Sequence, residues 1–183
     1  MGNRLAVIAG PTAVGKGTVV RYILEHFDNF MVSVSATTRA PRDGEVNGVD
    51  YYFLTDQEFD RMIQDGDMLE YAVVHGKHKY GTPRQPVEQA LSEGKKVILE
   101  IDLQGARQVK QSWPDVQMIF IAPPSWDELR RRLASRGTES TAEQEIRLET
   151  AKIELAAQGE FDHVVVNDDV AVCALKVVDL IGQ

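Results

Sequence analysis

A run of nine residues near the start of the chain constrains its fold more than any other: Gly10-Pro11-Thr12-Ala13-Val14-Gly15-Lys16-Gly17-Thr18. Its glycines and lysine stand in GxxxxGK spacing, the P-loop pattern. The segment follows an all-apolar run, Leu5 to Ala9, which reads as a strand buried on both faces. Behind it, Val19, Val20, Ile23, Leu24 and Phe27 fall on one face of a helix. Strand, glycine turn and helix in that order build an anion cradle. Gly10 and Gly15 permit backbone angles closed to other residues, so successive N–H groups can converge on one anion. The helix N-terminus adds partial positive charge and Lys16 adds a full one. Gly17 stands where the pattern usually has a serine or threonine to hold magnesium, and Thr18 follows it. The ion is therefore expected on phosphates and waters. Lys16 itself is expected to face solvent.

The alternation continues along the chain. Met31 to Ser35 reads as a strand, as do Lys96 to Ile101, Gln117 to Ala122 and His163 to Val166. Gln104 to Gln111, Ser125 to Ser135, Ala142 to Ala157 and a segment from Val170 read as helices. Such alternation implies an α/β fold, a mostly parallel sheet flanked by helices. Two stretches depart from it. Residues 37–86, rich in glycine and tyrosine, read as a small mixed insert. Ser135 to Ser140 reads as a polar loop, with Thr141 and Gln144 behind it in capping-box spacing. The expected organisation is a single domain over 1–183, with a core of 1–36 and 87–183. The insert covers about 37–86 and a lid about 125–147.

Composition limits what such a cradle can serve. With 43% hydrophobic and 26% charged residues the chain has a globular balance. Its net charge of −8 repels phosphate polymers and anionic surfaces, so neither nucleic acid nor membrane is an expected partner. The longest apolar run, Val170 to Leu175, is far short of a membrane span. One cysteine, Cys173, cannot form an internal disulfide, which favours a reducing, cytoplasmic setting. Any phosphate must then be met by a local basic pocket.

A second such pocket can be assembled. Arg39 and Arg42, beside Ser35, Thr37, Thr38 and a turn at Gly44, could grip a phosphate with paired donors. Tyr51, Tyr52, Tyr80 and Thr82 add hydroxyls in the same insert. Glu70 falls on a strand-like stretch, where an acid is usually surface. Glu100 and Asp102 end the buried run from Val97, at the sheet edge where ligands bind in α/β folds. His75 and His78 read as a solvated turn, Arg130 to Arg132 as an exposed helix face, and Cys173 as core.

The segments GPTAVGKGT, SVSATTRAPRDGEVNGVDYYF, ILEIDLQG, FIAPPS, SRGTES and VVVNDD, in this order and spacing, resemble the bacterial guanylate kinases from Arg4 to Ile181. The resemblance implies a P-loop kinase core with a GMP-binding insert and a short lid. It implies phosphoryl transfer from ATP to GMP with Mg2+, and dGMP as a further acceptor. By resemblance, ATP would lie on Gly10, Pro11, Thr12, Ala13, Val14, Gly15, Lys16, Gly17 and Thr18, with Asn167 near adenine. Arg39, Arg42, Tyr51 and Tyr80 would clamp the GMP phosphate, while Ser35, Glu70, Thr82 and Asp102 read guanine. Lys16, Arg42, Arg136 and Arg147 would act on the transferring phosphoryl group, with Arg132 a further candidate. Glu100 would position Arg42 or a magnesium water. Two other readings are a non-catalytic peptide-binding module of this fold and an adenylate-type kinase. The first usually lacks charges such as Lys16, Arg136 and Arg147, and the second has only Gly17-Thr18 in its favour.

Overall fold

The computed structural model describes residues 4–74, 77–135 and 141–182. Five strands form one sheet: β1 (Leu5–Ala9), β2 (Phe30–Val32), β7 (Lys96–Glu100), β8 (Gln117–Ala122) and β9 (His163–Val166). Their order is β2-β7-β1-β8-β9 and every pairing is parallel. Four short strands form a second, mixed sheet in the order β4-β3-β6-β5. These are β3 (Ala36–Thr37), β4 (Tyr52–Phe53), β5 (Met68–Val74) and β6 (His78–Pro83). The helices are α1 (Lys16–His26), α2 (Asp56–Gln64), α3 (Arg84–Ser92), α4 (Leu103–Ser112), α5 (Trp126–Ser135), α6 (Thr141–Ala156) and α7 (Val170–Gly182).

Strand alternation sorts the core into two layers. Leu5, Val7 and Ala9 join Val97, Leu99 and Phe120 under α3 and α4, which contribute Val87, Ala106 and Val109. Ala6 and Ile8 join Ile98, Ile119 and Ile121 on the other face. There α1, α5 and α7 supply Ile23, Leu129, Val177 and the buried Cys173. Each such aliphatic side chain contributes roughly 1.5–3 kcal/mol through burial. Both faces of β1 are thereby covered, which is why its sequence is apolar throughout.

The small sheet is built differently. Its back is covered by α2, whose Phe59 is fully buried against Ala36 and Met68. A capping box starts α2: Thr55 Oγ1 accepts the Glu58 N–H, and Glu58 accepts the Thr55 N–H. Gly81 keeps this packing possible, because a Cβ there would stand 3.2 Å from the Phe59 ring and 2.6 Å from the Glu70 carbonyl oxygen. The strand expected over Met31 to Ser35 is shorter than its sequence suggested, and residues 33–35 lie in no strand. β2 stops at Val32, the Ser33 N–H makes one last bond to the Ile98 carbonyl (2.9 Å), and the chain then crosses to β3.

Candidate active site

The carboxyl ends of the parallel strands converge on one edge, where α/β sheets hold their ligands. β1 leads there into the glycine loop, β7 into Glu100 and Asp102, and β9 into Asn167. Gly10 and Gly15 both have positive φ, +146° and +97°. A Cβ on Gly10 would lie 2.3 Å from the Ile121 carbonyl oxygen, and one on Gly15 would lie 2.7 Å from Asn167 Nδ2. Neither position admits a side chain. The loop encloses a cavity of about 460 Å³ whose walls include Thr12, Lys16, Gly17, Thr18 and Glu100.

Lys16 is half-buried rather than solvent-facing. Its ammonium donates to the Gly10 carbonyl and, at 3.2 Å, to that of Pro11. The loop that offers N–H groups inward presents these carbonyls to the first residue of α1, and the flexible lysine stem reaches them. Asn167, expected near adenine, is 3% exposed and turned beneath the loop, donating Nδ2 to the Val14 carbonyl at 2.8 Å. Arg132 braces the same place, with Nη1 reaching Val14 O (3.3 Å) and Asn167 O (3.2 Å). Glu128 holds Arg132 at 2.7 Å, and hydrogen bonds from Arg131 and Arg132 pull its carboxyl down to about 2. Arg132 therefore reaches the loop from behind, while Arg131 is spent on Glu128 at the surface.

A second cluster lies in the small sheet and the turn before it. Arg39 donates to Glu45 Oε1 at 2.8 Å and to the Ala40 carbonyl at 2.7 Å. Its guanidinium stands 5.4 Å from the Tyr51 ring centre and 5.8 Å from that of Phe53. Tyr51 and Tyr80 meet edge to face at 6.0 Å. Glu45 Oε2 also accepts the Arg42 N–H at 2.7 Å, leaving the Arg42 side chain exposed. The bond from Arg39, then that from Arg42, holds the Glu45 carboxyl below its ordinary range. Sequence reasoning assigned Glu45 no part. Its signal was its place three residues after Arg42 and six after Arg39.

The third cluster consists of carboxylates. Register pairs Glu70 with Thr82 and sets both on the face that carries Tyr80. Glu70 is 8% exposed, and the fully buried Thr82 hydroxyl donates to its Oε1 at 2.7 Å. Asp102 caps α4, with Oδ1 accepting the Gly105 N–H at 2.7 Å. Burial pushes the Glu70 carboxyl above its ordinary range, and the charge of Asp102 adds to the effect. Glu100, on the cavity wall, is also pushed up by the packing around its carboxyl, with Lys16 acting in the opposite sense. Ser35 is half-buried, and its carbonyl accepts the Tyr52 N–H at 2.9 Å. Arg147 is half-buried on α6. Arg136 and His75 lie outside the described residues.

A family model described as guanylate kinase matches residues 2–183. A guanylate kinase of Leifsonia xyli is 63% identical over 178 residues, covering 97% of this chain and 70% of that protein. One from Cutibacterium acnes is 53% identical over 97% of this chain and 89% of its own. The crystal structure of guanylate kinase from Anaplasma phagocytophilum superposes with a TM-score of 0.73 at 35% identity, covering 99% of this chain and 85% of that one. A shikimate kinase from Bacteroides thetaiotaomicron, 11% identical over 97% of this chain and 98% of its own, shares the fold at a TM-score of 0.52.

Proposed function

The chain belongs to the guanylate kinase family and transfers a phosphoryl group from ATP to GMP, and we infer that its three clusters divide that work. The glycine loop and Lys16 take the outer phosphates of ATP, with Asn167 and Arg132 supporting the loop from beneath. Arg39, Arg42, Tyr51 and Tyr80 hold the GMP phosphate, and Glu45 fixes the Arg39 fork. Ser35, Glu70 and Asp102 read guanine, while Thr82 acts by holding the Glu70 carboxylate.

The observation that carries this division is the burial of Glu70 on the sheet face that also carries Tyr80. An ionised carboxylate can only accept, and guanine offers N1–H and an amino group as adjacent donors. The phosphate of GMP is already ionised, so transfer to it needs no strong base. Catalysis then rests on positioning, charge neutralisation and exclusion of water. Lys16 supplies charge from the loop, joined by Arg147 and by Arg136, which lies outside the described residues.

The residues present fit a magnesium ion. Magnesium keeps several waters and takes one or two carboxylates alongside phosphates. Glu100 faces the loop cavity next to Gly17, where a Cβ would stand 3.5 Å from its Oε1, so that wall has space and, among the described residues lining it, one acid. Glu100 would hold the ion through water, and the ion would neutralise charge on the β- and γ-phosphates when bound.

The residues assigned here serve the base and the phosphate, and dGMP is proposed as a second acceptor. Among the described residues no helix is long and apolar enough to cross a membrane. The single cysteine, buried as a free thiol, supports a cytoplasmic setting. Phosphorus NMR of the enzyme with ATP, magnesium and GMP tests the reaction. Equal amounts of ADP and GDP are expected, and ADP forming without GDP would contradict it.

A further inference from the structure

β5 is an edge strand of the small sheet, yet its outer rim is occupied around residue 70. Tyr71 donates its backbone N–H to Gln108 Oε1 at 3.1 Å, and its carbonyl accepts from Gln108 Nε2 at 2.9 Å. The Leu69 carbonyl accepts from Ser112 Oγ at 3.0 Å. Both partners come from α4. Gly105, Gln108 and Ser112 are spaced i, i+3 and i+7, one face of that helix.

The Glu70 carboxylate lies against the same stripe. A Cβ on Gly105 would stand 3.1 Å from Glu70 Oε2 and 3.3 Å from Asp102 Oδ1. One helix face thus bonds the backbone on both sides of Glu70, leaves room for its carboxylate and ends in Asp102. The carboxamide of Gln108 matches an edge peptide, since it carries a donor and an acceptor side by side. It takes the place that a neighbouring strand would fill.

We propose that Gln108 is a positioning residue for acceptor choice, fixing the depth at which Glu70 meets the base of the nucleoside monophosphate. This rests on reading Glu70 as the group that contacts guanine. A misplacement of about 1 Å at a reacting or reading group is enough to cost ~10²-fold in efficiency. Residues 69–71 have two anchors on α4, and Gln108 supplies two of the three bonds.

Gln108→Met keeps the length of the side chain and removes both bonds. The KM for GMP is expected to rise about tenfold, with the preference for GMP over AMP narrowing by a similar factor. The KM for ATP should stay unchanged, and the Tyr71 amide should exchange faster with solvent. Gln108→Glu keeps an acceptor for the Tyr71 N–H but cannot donate to its carbonyl, so an intermediate shift is expected. Ser112→Ala removes the bond to Leu69, with a weaker one to Val109 inside α4, and should give a smaller shift of the same sign, which serves if Gln108→Met folds poorly. A purely structural role would lower Tm and leave the KM for GMP and the base preference in place. That result, with faster Tyr71 exchange, overturns the proposal. Glu70→Gln measured alongside separates the two claims. Lost discrimination in Glu70→Gln with none lost in Gln108→Met overturns the proposal alone. Intact discrimination in Glu70→Gln overturns the reading of Glu70 and the proposal with it.

Discussion

Lys16→Ala is expected to lower kcat by at least 10²–10³ while the fold survives. The first half follows from where charge develops. Phosphoryl transfer has little covalent chemistry for the protein to perform, so a fixed cation at the outer phosphates carries much of the stabilisation. The loop would retain its N–H groups and lose the full charge at its centre. The second half follows from what the ammonium touches. It donates to the carbonyls of Gly10 and Pro11 on the wall of an open cavity. Water can take over those acceptors, so the stability cost should be about 1 kcal/mol. Steady-state turnover at saturating ATP and a thermal melt check both halves. Near-normal turnover would show that the loop does not serve the phosphates of ATP.

Glu70→Gln is expected to cut kcat/KM for GMP by ~10–10² and to leave the KM for ATP unchanged. A glutamine presents an amide N–H₂ where the carboxylate presented an acceptor, so one guanine donor meets another donor. A stranded buried polar group costs ~1–3 kcal/mol, which gives that range. The same substitution should raise Tm near neutral pH. Burial, and then Asp102, raises the folded-state pKa of Glu70 above its unfolded value. Folded protein therefore binds this proton more tightly than unfolded protein. The stability it contributes is fully present below the ordinary carboxylate range and is lost as pH rises through the raised pKa. At neutral pH the buried charge is a standing cost that glutamine removes. A site that gains stability when it loses its ligand-reading charge is one held under load for function. Acidification should weaken GMP use over the same window, because a protonated Glu70 no longer accepts from both donors. A profile of kcat/KM for GMP against pH reads this directly. If Glu70→Gln lowers Tm and leaves GMP use intact, the carboxylate is structural.

The large sheet and the phosphate loop were legible because their signals are local. β1, β8 and β9 coincide with the apolar runs that announced them, and the loop shows its glycines and lysine in fixed spacing. The small sheet was not legible strand by strand. β3 and β4 are two residues each, too short for alternation to appear. α2 carried a readable start in Thr55 and Glu58, yet it falls in a stretch that reads only as a small mixed insert.

The candidate site divides in the same way. Arg39, Arg42, Tyr51, Glu70 and Asp102 could be singled out by residue type and motif, but their surroundings could not. Glu70 looked like a surface acid on a strand, and what buries it comes from Thr82, 12 residues on, and from Gly105 of α4, 35 residues on. Asn167 stood in a motif that by resemblance set it near adenine, and nothing in the sequence signalled that its Nδ2 donates to the Val14 carbonyl, 153 residues away in the chain. Arg132 read as part of an exposed run of three arginines and, by resemblance alone, as a further candidate for the transferring phosphate. Only the packing of α5 turns it toward the loop. Glu154 gave no signal at all, yet it lies half-buried on α6 with Lys16 among the charges that act on it and one carboxylate oxygen buried without a hydrogen-bond partner.

The central claim is that a buried acceptor-only carboxylate selects the acceptor nucleotide. Adenine puts a lone pair at N1 where guanine has N–H, so AMP would leave Glu70 facing a like partner in a desolvated site. Sites built on substrate hydrogen bonds reject the mismatched analogue by ~10⁴–10⁵. The measurement is kcat/KM of the unaltered enzyme for GMP and for AMP, by ADP release at saturating ATP and magnesium. A preference for GMP of about 10⁴ or more is predicted, and AMP turnover comparable to that of GMP would contradict the account.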